Sequence, residues 1–398
     1  MFASIILISP ICLAYAIAES KISGSLTDQL NTNAVAVGTS NSDDDDEKAK
    51  KDKQKEKDEG GHQTIQKTTS GLVLFDSLTN GNFNSHQLQA NNPNGWVYSG
   101  SAVAQNAPIN YFEDKAQGLH LGVQAVADGQ FAGFFAVTPH ISAQLHHAVL
   151  TMPYSAISDH SFNTGLYVQT SNGLINYVTC AASVSPSGIL WEIVHATGNF
   201  TQATKFETLW SEASSQAHTR DCTIVTNGDN FLQVYLDHKL VYSSNSLDLQ
   251  MPSPFNVFLE VQTSTKSKML FATYKDFYST ASPEVSIAGA PAGGTVKIMH
   301  KGSAIATGSV NSEGRANIDL GKFHFPLSGS IKVFNDKGKL DAKTKGDISI
   351  WGGDTFVVTA KESKHHIEDQ DSDLASLDTM AINHNTKVET MLLVRSVN

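Results

Sequence analysis

The apolar alternation in residues 230–262, NFLQVYLDHKLVYSSNSLDLQMPSPFNVFLEVQ, constrains the fold of this chain most strongly. Apolar and polar side chains alternate on both sides of Asp237-His238. Because successive side chains of a strand point to opposite faces, the pattern predicts a hairpin with one face in a core. Histidine tolerates positive φ better than branched residues do, so His238 fits the turn. SLDLQM and FNVFLEVQ are predicted as two further short strands.

Similar apolar segments recur about every ten residues from 71 to 280. Turn sequences such as NNPNG, SNG and SPSG separate them. Many short strands with little helical periodicity are typical of a sandwich or jelly roll. A helix, if there is one, is expected only in residues 205–214, KFETLWSEAS. We therefore predict an all-β chain with a jelly-roll β-sandwich over residues 71–280.

Residues 284–360 carry a second and shorter β pattern. Three turns that end in glycine, HKG, SEG and DKG, separate strands of alternating polarity. This spacing predicts a smaller, immunoglobulin-like β-sandwich after the jelly roll.

The N-terminus carries an apolar run, MFASIILISPICLAYAIA, with small residues at Ala16 and Ala18. This pattern predicts a signal peptide over residues 1–18 and a secreted or cell-surface protein. An uncleaved N-terminal anchor is the alternative, although the run is short for a membrane span. We expect no transmembrane segment in the mature chain.

The segments that flank the two β regions are polar. Residues 19–70 include DDDDEKAKKDKQKEKDEGG, which cannot bury enough apolar surface to offset its ordering entropy, so a disordered linker is expected. Residues 361–398 are predicted to form a disordered acidic tail. The net charge of −11 argues against a nucleic-acid partner, which would require clustered Lys and Arg.

Two of the three cysteines, Cys180 and Cys222, lie beyond the predicted signal peptide in strand-like segments. We expect them to form a disulfide, with two buried free thiols as the alternative. Adjacent His146 and His147 would point to opposite faces of a strand and could not bind one metal together.

Several segments resemble the concanavalin A-like lectin/glucanase superfamily, and specifically its laminin-G-like jelly rolls. The resemblance rests on FDSLTNGNF, GWVYSG, VYLDHKLVYSS, FNVFLEV and YKDFYST, and covers about half the chain. Residues 284–360 are similar to immunoglobulin-like and carboxypeptidase-regulatory-like sandwiches, and the whole arrangement resembles secreted archaeal proteins. The superfamily resemblance implies carbohydrate binding or glycoside hydrolysis. We expect no cofactor and no metal site. Because lectin-like jelly rolls often carry one calcium ion, a structural calcium is the open alternative, with Asp76, Asp114, Asp128 and Asp229 as the acids beside predicted turns.

The sequence carries no motif for a catalytic residue set or a cofactor. Glucanases of this superfamily use paired carboxylates on one strand, whereas Glu192 stands alone in its strand and Glu260 and Asp276 are isolated. We therefore expect non-catalytic recognition of carbohydrate or an extracellular partner. A glycoside hydrolase, and a structural envelope or matrix component without a specific ligand, are the alternatives.

Aromatic rings beside amides are the residues expected to contact a glycan, because pyranose faces stack on rings. The predicted contacts are Trp96, Tyr111 and Trp191, with Phe112 and Tyr167 as further rings and Asn110, Gln169 and Asn176 as neighbouring amides. The alternative for each ring is a place in the core. Asn199, in Asn-Phe-Thr, is a predicted N-glycosylation acceptor.

Overall fold

The computed structural model describes residues 63–80, 96–152, 162–171, 175–185, 188–199, 202–214 and 218–359. These residues form 24 β-strands and a single four-residue helix, which confirms the predicted all-β class. The predicted signal peptide, the charged run of the linker and the acidic tail lie outside the described residues. No helix in the described ranges is long and apolar enough to cross a membrane.

Residues 72–280 form a jelly-roll sandwich of two antiparallel sheets. Its elements are β2 (Leu72–Asp76), β3 (Val97–Ser99), α1 (Ser101–Ala104), β4 (Ile109–Asp114), β5 (Gly118–Val123), β6 (Ala132–Ile141), β7 (Leu145–Thr151), β8 (Phe162–Thr170), β9 (Tyr177–Ser185), β10 (Gly188–Asn199), β11 (Gln202–Ser214), β12 (Thr219–Thr226), β13 (Leu232–Leu236), β14 (Lys239–Ser244), β15 (Phe255–Thr263) and β16 (Leu270–Thr280). The seven-stranded sheet has the order β11-β10-β9-β8-β15-β6-β3. The eight-stranded sheet has the order β14-β13-β12-β7-β16-β5-β4, with β2 also paired to β16.

The inner faces of the two sheets enclose the main core. Strand alternation sends every second side chain between the sheets, where large rings are fully buried. The largest of these side chains are Trp191, Tyr274, Phe134, Phe162, Phe255 and Phe277. Burial of this apolar surface is the main stabilising contribution to the sandwich.

A disulfide joins Cys180 of β9 to Cys222 of β12, with the two Cα atoms 6.5 Å apart. The bond connects the seven-stranded sheet to the eight-stranded sheet through the core, which confirms the predicted pairing. A bridge over a sequence separation of 42 residues is expected to stabilise the fold by about 4 kcal/mol, because it restricts the unfolded chain.

The hairpin predicted from the opening sequence pattern is confirmed. Asp237 and His238 adopt positive φ values of 49° and 65° between β13 and β14. Leu249 and Met251, in the segment SLDLQM, are fully buried as alternation predicts. Their backbone N–H groups bond to carbonyls at 229 and 228, so this segment belongs to neither sheet and its prediction as a strand is wrong.

Residues 205–214, the segment to which any helix was expected to be confined, form a strand instead. These residues belong to β11, which pairs antiparallel with β10 at the edge of the seven-stranded sheet. Pairing with the free edge of β10 satisfies the backbone groups, and Leu209 and Trp210 pack against the core. Tertiary contacts therefore override a local composition that is compatible with a helix. The short helix that the described residues do contain, α1, lies elsewhere.

Residues 284–359 form a second, smaller β domain. Its strands are β17 (Glu284–Ala288), β18 (Thr295–His300), β19 (Ser303–Ser309), β20 (Arg315–Asp319), β21 (Leu327–Phe334), β22 (Leu340–Lys343), β23 (Ile348–Ile350) and β24 (Thr355–Thr359). They surround their own core, which includes Val296, Ile298, Ile331, Val333 and Phe356. The immunoglobulin-like topology stays a prediction.

A strand from the N-terminal side completes this second domain. Residues 63–69, expected to belong to the linker, form β1 (Gln63–Thr69), which pairs parallel with β22 and antiparallel with β24. The linker boundary predicted at 70 is therefore wrong. Ile65 is buried in the second core, and Lys67 Nζ lies 2.5 Å from Asp354 Oδ2. The nine-stranded sheet has the order β19-β18-β21-β22-β1-β24-β17-β20, with β23 paired to β21.

The second domain packs against one end of the eight-stranded sheet. Four side chains of the jelly roll belong to the same hydrophobic cluster as the second core: Leu145, Val225, Tyr235 and Tyr278. The backbone N–H of Phe325 donates to the Tyr278 hydroxyl at 3.1 Å. The two domains are therefore joined by packed side chains as well as by the chain.

The two adjacent histidines lie on opposite faces of β7, as alternation predicts. His146 Nδ1 lies 2.9 Å from Ser279 Oγ, and its ring meets Phe255 of the main core. His147 stacks on Tyr278, with ring centroids 4.4 Å apart, at the junction with the second domain. Burial lowers the pKa of His146 to about 3 and that of His147 well below its usual range. Both are packing residues in their neutral form.

Removal of β1 tests its place in the second domain. A chain that starts at Gly71 loses the strand between β22 and β24, exposes the backbone groups of both and leaves Asp354 without Lys67. We expect its second domain to unfold at a lower denaturant concentration than that of a chain starting at Gln63. Equal midpoints for the two chains in urea would contradict this placement.

Candidate functional site

The seven-stranded sheet has a second, outer face that points away from the main core. Its floor consists of aromatic rings, which form a small cluster separate from the main core. Phe135 comes from β6, Phe258 from β15, Tyr167 from β8 and Tyr177 from β9, so four adjacent strands build the floor. We call this surface the outer face.

Ring contacts fix the geometry of the outer face. Tyr167 stacks on Phe258 with centroids 4.9 Å apart and planes 8° from parallel. Phe135 lies 5.4 Å from Phe258, and Tyr177 meets Tyr167 edge to face at 5.3 Å. These residues are directly opposed or adjacent across the strand pairs, so backbone register places the rings.

A single acid, Glu260 of β15, lies among the rings. The side chain is 2% exposed, and burial raises its pKa to about 7. The amide of Gln262 donates to Glu260 Oε1, and the Tyr167 hydroxyl also bonds to the carboxyl group. Among the described residues no Lys, Arg or His forms an ion pair with it. At neutral pH the group is therefore poised between its neutral and charged forms.

A glycine makes room for this arrangement. Gly165 of β8 is directly opposite Glu260. A Cβ atom at this position would lie 2.8 Å from the Tyr167 ring and 2.9 Å from Thr179 Oγ1. Both distances are too short for real contacts, so the ring can approach Glu260 only because residue 165 has no side chain.

Three polar atoms of the outer face are buried without a hydrogen-bond partner. They are Asn163 Oδ1, the Tyr177 hydroxyl and Asn256 Oδ1. Asn163 is opposite Gln262 at one end of β15 and Asn256 is near its other end, so these atoms bracket the aromatic floor over about 20 Å. A buried polar atom without a partner costs about 1–3 kcal/mol, and a ligand that bonds to these atoms would remove that cost.

A second acid on the outer face is too far away to act with Glu260. Glu192 of β10 lies in the same cross-strand row, which runs Glu260, Gly165, Ala181, Glu192. Three strand spacings separate the two, or about 14 Å. Paired carboxylates of glycosidases are about 5–9.5 Å apart. The pair therefore does not have hydrolase geometry.

The rings chosen from sequence as glycan contacts lie elsewhere. Trp96 and Trp191 lie between the two sheets in the main core, which is the alternative left open for them, so neither ring is on the outer face. Trp96 Nε1 donates to Asp76 Oδ2 at 2.9 Å. Tyr111 stacks on Tyr98 at 4.2 Å against this core, so packing explains its place. Alternation predicts which side chains share a face, but not which face meets the other sheet.

The remaining candidates divide between the two sheets. Tyr167 and Gln169 are on the outer face, where Gln169 is opposite Asn256. Phe112 is 40% exposed and lies with Asn110 on β4 of the other sheet. Asn176 Nδ2 donates to the Gln250 carbonyl and Asn176 Oδ1 accepts from the Gly198 N–H, both at 2.9 Å. The Asn176 side chain therefore joins neighbouring segments of the chain. Asn199 ends β10, and its glycosylation stays a prediction.

The acids named as calcium candidates do not come together. Asp76 accepts from Leu78 N as well as from Trp96, Asp114 accepts from Ala116 N and Gln117 N, and Asp128 accepts from Lys266 N. These contacts belong to separate turns, and Asp229 lies in another loop. In the described ranges no group of three or more His, Cys, Asp or Glu side chains has the arrangement of a metal site.

Sequence reasoning missed Phe135, Tyr177 and Phe258 as members of a site and treated Glu260 as isolated. A signal was present, because Phe258 places an aromatic ring on the strand face that otherwise carries the polar residues Asn256, Glu260 and Gln262. A strand with only one buried face shows clean alternation, whereas near-continuous apolar character indicates burial on both faces. An acid within such a strand marks an unusual environment.

No protein-family model matches the sequence, and no curated protein is similar to it. Among solved structures, the chain is similar to β-agarase A from Zobellia galactanivorans, at 10% identity over 55% of this chain and 94% of that one, with a TM-score of 0.38. It is also similar to SCLam, a non-specific endo-β-1,3(4)-glucanase from family GH16, at 11% identity over 55% and 96%, with a TM-score of 0.35. Carbohydrate-binding module CBM66 from Bacillus subtilis is similar at 10% identity over 43% and 90%, with a TM-score of 0.27. Similarity at this level carries no argument about the function of this chain.

The titration of Glu260 gives a testable pH dependence. Because the folded pKa is raised from 4.5 to about 7, the folded chain holds a proton that the unfolded chain releases. Its contribution to stability is present below pH 4.5 and is lost as the pH rises through about 7. Relative to E260Q, the wild type should therefore lose about 3 kcal/mol of unfolding free energy over this interval.

Urea unfolding of both proteins at pH 4.5 to 8 measures this difference. The matched control E207Q, at an exposed position of β11, is expected to follow the wild-type profile. A constant difference between E260Q and wild type across the pH range would show that burial of Glu260 does not shift its titration.

Proposed function

We propose that this protein binds carbohydrate at the outer face and does not hydrolyse it. The observation that carries the proposal is the set of unpartnered polar atoms, Asn163 Oδ1, the Tyr177 hydroxyl and Asn256 Oδ1, around an aromatic floor. Leaving these atoms unpartnered costs free energy, which hydrogen bonds to a bound ligand would recover. A ligand with hydroxyl groups and an apolar ring face satisfies both parts of the surface.

The ring pair of Tyr167 and Phe258 supplies the stacking surface. Parallel rings offer an apolar area of the kind on which a pyranose face packs through its C–H groups. Asn163 and Asn256 offer amide oxygens that accept hydrogen bonds from sugar hydroxyls, and the Tyr177 hydroxyl can donate or accept. Together they favour a saccharide over a purely apolar ligand.

The charges at the outer face favour a neutral sugar. Glu260 is the acid at its centre, and among the described residues no cation pairs with it. A uronate or sulfated sugar would bring a second negative charge into a desolvated site, which is unfavourable. An uncharged oligosaccharide avoids this repulsion and can accept a hydrogen bond from neutral Glu260.

Access to the floor requires a local movement. The side chains of the floor are at most 5% exposed, namely those of Phe135, Tyr167, Tyr177, Phe258 and Glu260. A ligand reaches these side chains only when the surrounding chain opens, and association is then slower than for a preformed groove. The same exclusion of water strengthens each hydrogen bond that the ligand makes.

Among the acids that the structure describes on the outer face, none lies at hydrolase spacing from Glu260. Glu260 is buried with a raised pKa, as a general acid requires, but Glu192 is about 14 Å away across three strands. We therefore favour binding over hydrolysis. We also propose a secreted or cell-surface location, which the Cys180–Cys222 disulfide and the N-terminal apolar run support.

A binding screen with conservative variants tests the proposal. The full chain is applied to an array of neutral oligosaccharides, and the affinity of any ligand found is measured by calorimetry. We expect Y177F to weaken binding about three- to tenfold, since one hydrogen bond contributes about 0.5–1.5 kcal/mol. Its stability should be unchanged or higher, because the hydroxyl is unpartnered in the free protein.

The matched control is Y242F, a half-buried tyrosine of β14 on the eight-stranded sheet. It is expected to bind as wild type does. If the wild-type chain binds no oligosaccharide on the array, carbohydrate binding is refuted. Equal affinities of Y177F and wild type would show that the ligand binds elsewhere.

A further inference from the structure

The second domain carries a groove whose lining residues follow those of the outer face in the sequence. The groove has a volume of about 480 Å³ and is lined by residues of β17, β19, β20 and β24 and of the turn after β19. Its polar lining residues are Ser286, Ser309, Asn311, Arg315, Asn317 and Thr355. The proposed carbohydrate site does not include any of them.

Strand register brings the groove residues to one face. Ser286 is directly opposite Asn317 on β20 and Thr355 on β24, and Ala288 is opposite Arg315. The alternate residues Val285, Ile287, Ala316 and Ile318 are buried in the second core. The polar side chains therefore point outward together, and their spacing is set by the sheet.

Internal hydrogen bonds occupy the amide oxygens of the groove. Asn311 Oδ1 accepts from the backbone N–H groups of Glu313 and Arg315 at 3.0 and 2.9 Å. Asn317 Oδ1 accepts from the Ser286 hydroxyl at 2.9 Å. The amide nitrogen of each asparagine, which is a pure donor, is therefore the atom left for a ligand.

Arg315 adds the only charge of the groove lining. Within the part of the chain that the structure describes, no ion pair or side-chain hydrogen bond engages its guanidinium group. Arg220, the other described arginine, pairs with Glu212 and Asp237 instead.

We propose that this groove binds the carboxylate of an acidic saccharide. A guanidinium group holds a carboxylate through two parallel N–H···O bonds, and the amide nitrogens of Asn311 and Asn317 add further donors. The hydroxyls of Ser309 and Thr355 suit the hydroxyls of a sugar ring, and Ala288 gives a small apolar contact. The volume fits one or two sugar units.

Donor excess and positive charge distinguish this groove from the outer face. The outer face presents acceptors around an acid, whereas the groove presents donors around a cation. The outer face therefore favours an uncharged ligand and the groove a negatively charged one, and binding at either site can be lost without affecting the other.

Calorimetry on the full chain with trigalacturonate tests the proposal. We expect binding to wild type that weakens as salt is raised, since the contact is charge-assisted. R315Q should weaken it about tenfold or more, which corresponds to about 1.4 kcal/mol or more. The matched control K337Q removes one positive charge from an exposed turn of the same domain and should bind as wild type does.

Two further ligands test whether the groove requires a carboxylate and whether it prefers that carboxylate on a saccharide or on a peptide. A neutral trisaccharide, maltotriose, should not compete with trigalacturonate, and a short peptide with a free C-terminal carboxylate should bind at least tenfold more weakly. Absence of trigalacturonate binding, equal losses in R315Q and K337Q, or a preference for the peptide would each overturn the proposal. Because Y177F lies in the other domain, its effect on neutral oligosaccharides is independent of these results.

Discussion

Burial on both faces of the seven-stranded sheet is the constraint on which the architecture depends. One face packs against the eight-stranded sheet through the main core, and the disulfide between β9 and β12 joins the same two sheets. The other face buries a smaller aromatic cluster with an acid at its centre. A purely structural sheet does not require Glu260 or unpartnered amide oxygens at such a position, and both follow if the outer face is kept for a ligand.

Sequence alternation was enough to predict the all-β class, the hairpin at Asp237-His238 and the bridge between Cys180 and Cys222. These features depend on local periodicity and on a single available cysteine pairing. The site could not be predicted in the same way. Trp191 and Tyr167 both lie in apolar strands, and only the register of β8, β9 and β10 decides that one ring faces the core and the other faces outward.

Long-range pairing explains the other differences between expectation and structure. In β1 the sequence QTIQKTT offers one buried apolar residue, Ile65, so it resembles the polar linker before it. Its partners in β22 and β24 lie near the other end of the described chain, as does Asp354, the partner of Lys67. Residues 205–214 become a strand because β10 offers a free edge. Neither pairing leaves a local mark in the sequence.

A crystal structure of the full chain soaked with neutral oligosaccharides tests the central claim most directly. The account predicts a sugar ring stacked on Tyr167 and Phe258, with hydrogen bonds to Asn163 Oδ1 and to the Tyr177 hydroxyl, both unpartnered in the free protein. The account would be contradicted by a sugar bound elsewhere, such as on the exposed Phe112 of β4, while the outer face stays unchanged.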